Sequence, residues 1–222
     1  MRINVLYEDN HLIAVLKPAG ILTQGDETGD VNLMDGVKKY LKEKYQKPGN
    51  VFLGLLHRLD RPVSGIILFA KTSKGASRLS EQFRNHEIEK IYHALVLGRP
   101  KQNKGILINY LKKNRERKKA TTTNEEENAK LAELSYELIA SNDKYSLLKV
   151  KIKTGRFHQI RAQLSSIGCP VVGDLKYGAP LALSDKSIAL SATSISFRTA
   201  TTKETKEISI PFPAGWEKYI RV

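Results

Sequence analysis

His57-Arg58-Leu59-Asp60-Arg61-Pro62-Val63-Ser64-Gly65 sets one carboxylate between two arginines, on a turn that runs directly into the apolar residues 66–70. Proline and glycine break regular structure here, and the run that follows suits a short buried strand. Opposite charges within a few ångström favour the ionised carboxylate, so Asp60 suits a nucleophile or an electrostatic partner better than a proton donor. An ordinary surface ion pair reads the same way from these residues alone.

Outward from this turn, residues 3–8 and 12–16 read as two strands joined at Asp9-Asn10 and followed by Lys17-Pro18-Ala19-Gly20, a second turn. Asn32 is suited to cap a helix with Leu33, Val37, Leu41 and Tyr45 on one face, stopping near Lys47-Pro48-Gly49. Beyond residue 70, Ser73 is placed to cap a helix with Ala76, Leu79 and Phe83 inward and Arg78, Glu81 and Arg84 outward. Residues 90–98 alternate, with Ile91, His93, Leu95 and Leu97 on one side and Tyr92, Ala94 and Val96 on the other. Residues 147–154 set Leu148, Val150 and Ile152 against Lys149, Lys151 and Lys153. Residues 112–130 are charged, threonine-rich and poor in apolar anchors, and read as the one flexible stretch. Strands in hairpin-like runs with few helices between them predict an α+β fold on a largely antiparallel sheet. No convincing linker divides the chain, so residues 1–222 read as a single domain with a basic arm at about 99–130.

Apolar residues make up 41% of the 222, enough for a core without staples. The single cysteine, Cys169, excludes an internal disulfide and a multi-cysteine zinc site. His11, His86 and His93 lack metal-ligand spacing, and no metal is expected. The apolar runs fall far short of the ~18 residues of a membrane span. A soluble, cytoplasmic protein without a membrane partner is the expectation.

Lys and Arg number 37 against 23 Asp and Glu, a net charge of +14 that favours a polyanion, nucleic acid first. A generically basic protein, or one that meets an acidic membrane, is the plainer alternative. Arg99, Lys101, Lys104, Lys112, Lys113, Arg115, Arg117, Lys118 and Lys119 share a window with one acid, Glu116, and Glu125-Glu126-Glu127 follow.

A second constellation is Lys153-Thr154-Gly155-Arg156-Phe157-His158-Gln159-Ile160-Arg161, where a strand ends near Gly155 and a helix carrying Ile160, Leu164 and Ile167 begins. Arg156, His158, Gln159 and Arg161 thus gather at a helix start, whose free N–H groups and positive dipole suit a phosphate or a carboxylate. His158 and Gln159 can equally serve only to satisfy the helix end, a reading stronger for Gln159 than for Arg161.

Both segments resemble the RluA-type pseudouridine synthases. HRLDRPVSG resembles the signature H-R-L-D-x-x-[TV]-S-G, with Val63 where threonine is commoner, and TGRFHQIR resembles T-G-R-x-H-Q-[IL]-R. Lys17-Pro18-Ala19-Gly20, the K-x-Y-x-A of residues 90–94, residues 167–174 and Tyr177-Gly178 extend the match, so that recognisable motifs span residues 3–212. Residues 188–192 align with a segment that usually reads L-H-A, and Ser191 departs from it.

The resemblance implies an α+β fold with a long mixed, mainly antiparallel β-sheet, flanked by helices and loops around a central RNA-binding cleft. It implies an isomerase that turns uridine into pseudouridine in transfer RNA, ribosomal RNA or both, with no cofactor. Asp60 is then the catalytic carboxylate, attacking C1′ or C6 or deprotonating C2′, and Arg161 its partner. Tyr92 is the ring against the target base and a proposed general base. Stacking is physically easy at ~1–3 kcal/mol, whereas a phenol with its ordinary pKa near ~10 needs help to take a proton. Arg58 matches the residue proposed to enter the gap left by a flipped base. Leu190 either floors the base pocket or is plain core. Many members carry an extra N-terminal S4 domain, whereas this chain starts almost at the first catalytic strand. The basic arm, with Lys112, Lys113, Arg115, Arg117, Lys118 and Lys119, is the candidate for extra RNA contacts. No obligate protein partner is inferred, and a monomer is expected. A kinase loop is excluded because H-R-L-D is not H-R-D and no glycine-rich phosphate loop occurs. A non-catalytic RNA-binding protein remains the alternative, and it leaves Asp60 unexplained.

Overall fold

The computed structural model describes residues 1–114 and 116–220. The chain forms two compact units, Met1–Ile88 with Ser194–Ile210, and Glu89–Thr193 with the stretch from Pro211 onward.

In the first unit β1 (Asn4–Glu8) and β2 (Leu12–Lys17) form a hairpin. Asp9 makes its turn by accepting from the N–H groups of His11 and Leu12, 2.7 Å each. β2 pairs along its whole length with β4 (Ser64–Ala70), and β3 (Gly54–Leu55) also pairs with β4, all antiparallel. Because β2 and β4 are nearly continuous apolar runs, both are buried on both faces. Gly65 holds φ +128°, a backbone conformation that side chains rarely adopt, which is why glycine closes the signature. Residues 194–198 of β10 (Leu190–Arg198) pair antiparallel with β11 (Thr205–Ser209). Leu12, Ile66, Leu68, Leu79, Ile195 and Phe197 are central to the core.

Two helices belong to this unit, α1 (Leu33–Lys44) and α2 (Ser73–Arg84). Asn32 caps α1 as expected, its side chain accepting from the Asp35 N–H at 3.0 Å. Tyr45 departs from the expected inner face: α1 ends at Lys44, and Tyr45 is its half-exposed C-cap, with its hydroxyl 2.7 Å from Glu8 Oε1. The cap of α2 is Thr72 rather than Ser73. Thr72 is the extended residue, and its Oγ1 accepts from the Gly75 N–H at 3.1 Å.

The second unit contains β5 (Glu89–Leu97), β6 (Lys104–Asn114), β7 (Lys119–Thr123), β8 (Ala129–Ser141) and β9 (Tyr145–Ile152). They lie side by side in the order β5-β9-β8-β6-β7, every neighbour antiparallel. The alternation on β9 is as expected, with Leu148, Val150 and Ile152 buried and Lys149 and Lys151 exposed. Helix α3 (Gln159–Ser166) packs Ala162 against Leu111, Ala120, Ala132 and Tyr177.

The expectation of a flexible stretch at 112–130 is overturned, since most of it forms the β6–β7 hairpin and the start of β8. Lys112 pairs with Thr121, Lys113 with Ala120 and Asn114 with Lys119. The high charge conceals a strand alternation: Ala120 is buried while Thr121 faces outward, and β-branched threonines favour the pleat. Arg115 lies outside the described residues. Among those described, no helix is long and apolar enough to cross a membrane.

Candidate functional site

Asp60 is carried on a loop whose backbone is held on either side of it. The Thr23 hydroxyl, itself buried, donates to the Leu59 carbonyl at 3.0 Å and accepts from the Leu59 N–H at 3.2 Å. The Gly20 N–H donates to the Arg61 carbonyl at 2.8 Å, and the Val63 N–H closes a turn onto the Asp60 carbonyl at 3.0 Å. Lys17 completes the frame. As the last residue of a doubly buried strand it is fully enclosed, and its ammonium donates to the carbonyls of Pro18 (3.0 Å), Arg61 (3.1 Å) and Val63 (2.7 Å). Three N–H protons meet three acceptors, so this buried cation is satisfied. Burial pushes the Lys17 amine down to about 8, the charge of Asp60 works against that fall, and the charge of Arg61 adds to it.

The arginines flanking Asp60 are placed differently from one another. Arg61 Nη1 pairs with Asp30 Oδ2 at 2.7 Å and its Nε donates to the Gly20 carbonyl at 2.9 Å, so Arg61 ties the loop to residues 20–30. Arg58 is exposed. His57 Nε2 accepts from the Leu68 N–H at 3.0 Å and its ring stacks on Phe83. Reading the carboxylate as held between two arginines overlooked Lys17, although it opens the KPAG turn; strand β2 delivers it from 43 residues away in sequence.

In the second unit the four residues expected at a helix start are brought together at α3, in distinct roles. His158 sits at the N-cap in the left-handed region (φ +53°), its ring stacked on Phe157 and its Nδ1 3.0 Å from the Tyr177 hydroxyl. Arg156 donates through Nε to the Leu131 carbonyl at 2.8 Å, hooking the loop onto β8. Gln159 is buried, accepting from Thr154 Oγ1 (2.7 Å) and the Arg156 N–H (3.0 Å) and donating to the Glu133 carbonyl (3.1 Å). Both ends of its amide thus serve the helix start. Arg161 grips Asp174 with two parallel bonds, Nε to Oδ2 at 2.6 Å and Nη2 to Oδ1 at 2.9 Å, both side chains almost fully buried. Asp174 is a partner of Arg161 that sequence reasoning passed over, although it lies inside the matched residues 167–174.

Tyr92 lies on β5 opposite Val150, buried to 7% exposure, and Leu190 at the start of β10 is buried. On the hairpin, Lys113 Nζ sits 4.6 Å from the Phe157 ring centroid and Lys119 Nζ 4.9 Å from that of Tyr177. Lys112 pairs with Glu126 at 3.3 Å, and Arg117 and Lys118 are exposed in the turn. Among the described residues no three His, Cys, Asp or Glu side chains gather as a metal site.

A sequence model of the family described as RNA pseudouridylate synthase matches residues 11–166. The ribosomal large subunit pseudouridine synthase C of Rickettsia typhi is 38% identical over 175 residues, 78% of this chain and 56% of that protein. The chain thus spans little more than half the length of that relative. An RNA pseudouridine synthase of Bacillus subtilis, YhcT, described as uncharacterized, is 31% identical over 222 residues, 99% of this chain and 72% of that protein. Among solved structures, human RNA pseudouridylate synthase domain containing 4 has the same fold, with a TM-score of 0.80 at 23% identity, covering 95% of this chain and 89% of that one.

Proposed function

Because the chain belongs to the RNA pseudouridylate synthase family, we propose that it converts a uridine of structured RNA into pseudouridine with Asp60 as the reacting carboxylate. One observation carries the reading: Asp60 stands in a family-matched loop pinned at Leu59, Arg61 and Val63 by buried Thr23 and Lys17. A rigid backbone holds a reacting group at constant geometry, which a solvated surface ion pair does not need.

The isomerisation breaks the N1–C1′ bond of uridine, joins C5 to C1′, releases the C5 proton to solvent and leaves a proton on N1. No net electrons move, so no redox partner enters. The base must first leave its stack, at a cost of a few kcal/mol. Tyr92 is the candidate ring for the released base, Arg161 the candidate cation of the chemistry, and Arg58 the candidate occupant of the vacated stack. The substrate class is ribosomal or transfer RNA. The name of the Rickettsia relative favours ribosomal RNA of the large subunit.

Release of tritium tests the activity. Total RNA from cells lacking the protein, labelled with [5-3H]uridine, should release tritium to water with the wild type and not with Asp60→Ala, while filter binding of the same RNA stays within about threefold. Release that survives the substitution would overturn the assignment of Asp60. A wild type that binds RNA without releasing tritium would favour a binding protein.

A further inference from the structure

Tyr177, in the short 3-10 helix Leu175–Tyr177, joins three parts of the second unit through one buried side chain. Its hydroxyl accepts from the Ala120 N–H on β7 at 2.8 Å and lies 3.0 Å from Nδ1 of His158. Its ring faces the Lys119 ammonium at 4.9 Å and the Arg161 guanidinium carbon at 5.0 Å from the centroid. Its carbonyl accepts from Ser165 of α3 at 2.7 Å, and the neighbouring Lys176 donates to the Lys118 carbonyl at 3.2 Å.

Two physical consequences follow from these contacts. β7 is the last strand in its order, so N–H groups on its outer edge need a partner beyond the sheet, and the phenol supplies one at Ala120. Arg161 is gripped in the plane of its guanidinium by Asp174, and in-plane bonds resist rocking of that plane only weakly. An aromatic face against the guanidinium restrains that motion.

We propose that Tyr177 is a positioning residue that ties the basic hairpin to Arg161: its hydroxyl anchors the hairpin and its ring fixes the guanidinium. The proposal rests on the reading of this chain as an RNA isomerase with Arg161 at its chemistry. It divides the side chain into two separable parts. Tyr177→Phe removes the hydroxyl and keeps the ring, whereas Tyr177→Leu removes both.

The test combines steady-state tritium release from the labelled RNA described above, melting temperature, and hydrogen exchange of the Ala120 amide without RNA. Tyr177→Phe should speed exchange at Ala120 and raise KM about threefold to tenfold, with a smaller change in kcat. Tyr177→Leu should in addition lower kcat by at least about tenfold, in protein that still melts above the assay temperature. A purely structural tyrosine predicts instead that activity tracks the folded fraction and that the two variants differ only in melting temperature, which would overturn the proposal. Unchanged exchange at Ala120 in Tyr177→Phe would overturn the anchor. A wild type that binds RNA and releases no tritium would overturn the enzymatic reading, and the claim on Arg161 would fall with it, while exchange at Ala120 would still decide the anchor.

Discussion

Lys17 Nζ stands 2.7 Å from the carbonyl oxygen of Val63 and 3.1 Å from that of Arg61, so one buried ammonium ties together the two sides of the turn that begins at Asp60. A hydrogen-bonded charge enclosed by protein is conformationally expensive to rearrange, and the loop inherits that stiffness.

Replacing the ammonium with an apolar chain of similar length should loosen the loop. Lys17→Met leaves the Pro18, Arg61 and Val63 carbonyls without that donor, at a stability cost of about 1–3 kcal/mol. Tritium release should fall by roughly tenfold or more in kcat with little change in KM. Wild-type kcat in a folded Lys17→Met protein would show that the loop needs no such tie.

Alkaline pH should reproduce part of that loss. With its amine lowered by burial to about 8, Lys17 loses its third proton as pH rises through that value, and a neutral amine has two protons for three carbonyls. Activity should therefore fall above about pH 8. Stability should move the opposite way on this residue's account, because a folded value below the ordinary 10.5 means that raising pH from 8 toward 10.5 relieves the cost of burying charge. Activity and melting temperature measured across this window, in wild type and Lys17→Met, separate the two effects.

Asp174→Asn should be damaging beyond its size. The substitution strips the negative charge from a bidentate, almost fully buried pair and leaves Arg161 without that counterion, a change that typically costs about 3–5 kcal/mol. Urea unfolding measures the cost. A shift below about 1 kcal/mol would mean that the pair contributes little to the fold.

Neutralising Lys113, Arg117, Lys118 and Lys119 to glutamine should weaken RNA binding and flatten its salt dependence, by up to about 0.7–0.9 in log–log slope for each phosphate that no longer meets a cation. Lys112→Gln alone should do less, because Glu126 already offsets that charge at 3.3 Å. Filter binding across a salt series decides, and an unchanged slope would assign the hairpin to solvated surface.

Glu8 makes the first unit acid-sensitive. Burial raises its carboxyl, but hydrogen bonds from Lys44 (2.7 Å), Lys71 (2.6 Å) and Tyr45 (2.7 Å) outweigh that and bring it down to about 2 from 4.5. The folded value is the lower one, so its stabilisation is complete above pH 4.5 and is lost as pH falls toward 2. Glu8→Gln should therefore lose less stability than wild type between pH 7 and 3, by about 1–2 kcal/mol. Equal losses in the two proteins would sink the assignment.

Local features were legible in the chain because they depend on neighbours in sequence. Asn32 as a cap, the alternation of β9 and the apolar run of β4 follow from side-chain chemistry and period alone. The hairpin at 112–123 was not legible as such. Its lysines and threonines look like solvated loop until Ala120 is seen packed on Leu111 and Tyr177, contacts that arise only when distant strands meet. Gln159 was legible as a helix-end residue, yet its commitment to Glu133 needs β8 alongside.

By itself the sequence determined that Asp60 sits in a turn bearing the family signature, in a chain whose +14 charge suits a polyanion, because motif and charge are properties of the residues themselves. Only the tertiary structure decided what surrounds those residues. It placed Lys17 beneath the Asp60 turn, gave Arg61 to Asp30, gave Arg161 to Asp174 and set Tyr177 between Arg161 and the hairpin. The reason is physical: a buried ion or hydrogen bond takes its partner from whichever strand or loop the packing of the core brings within about 3 Å, however far away that partner stands in the chain.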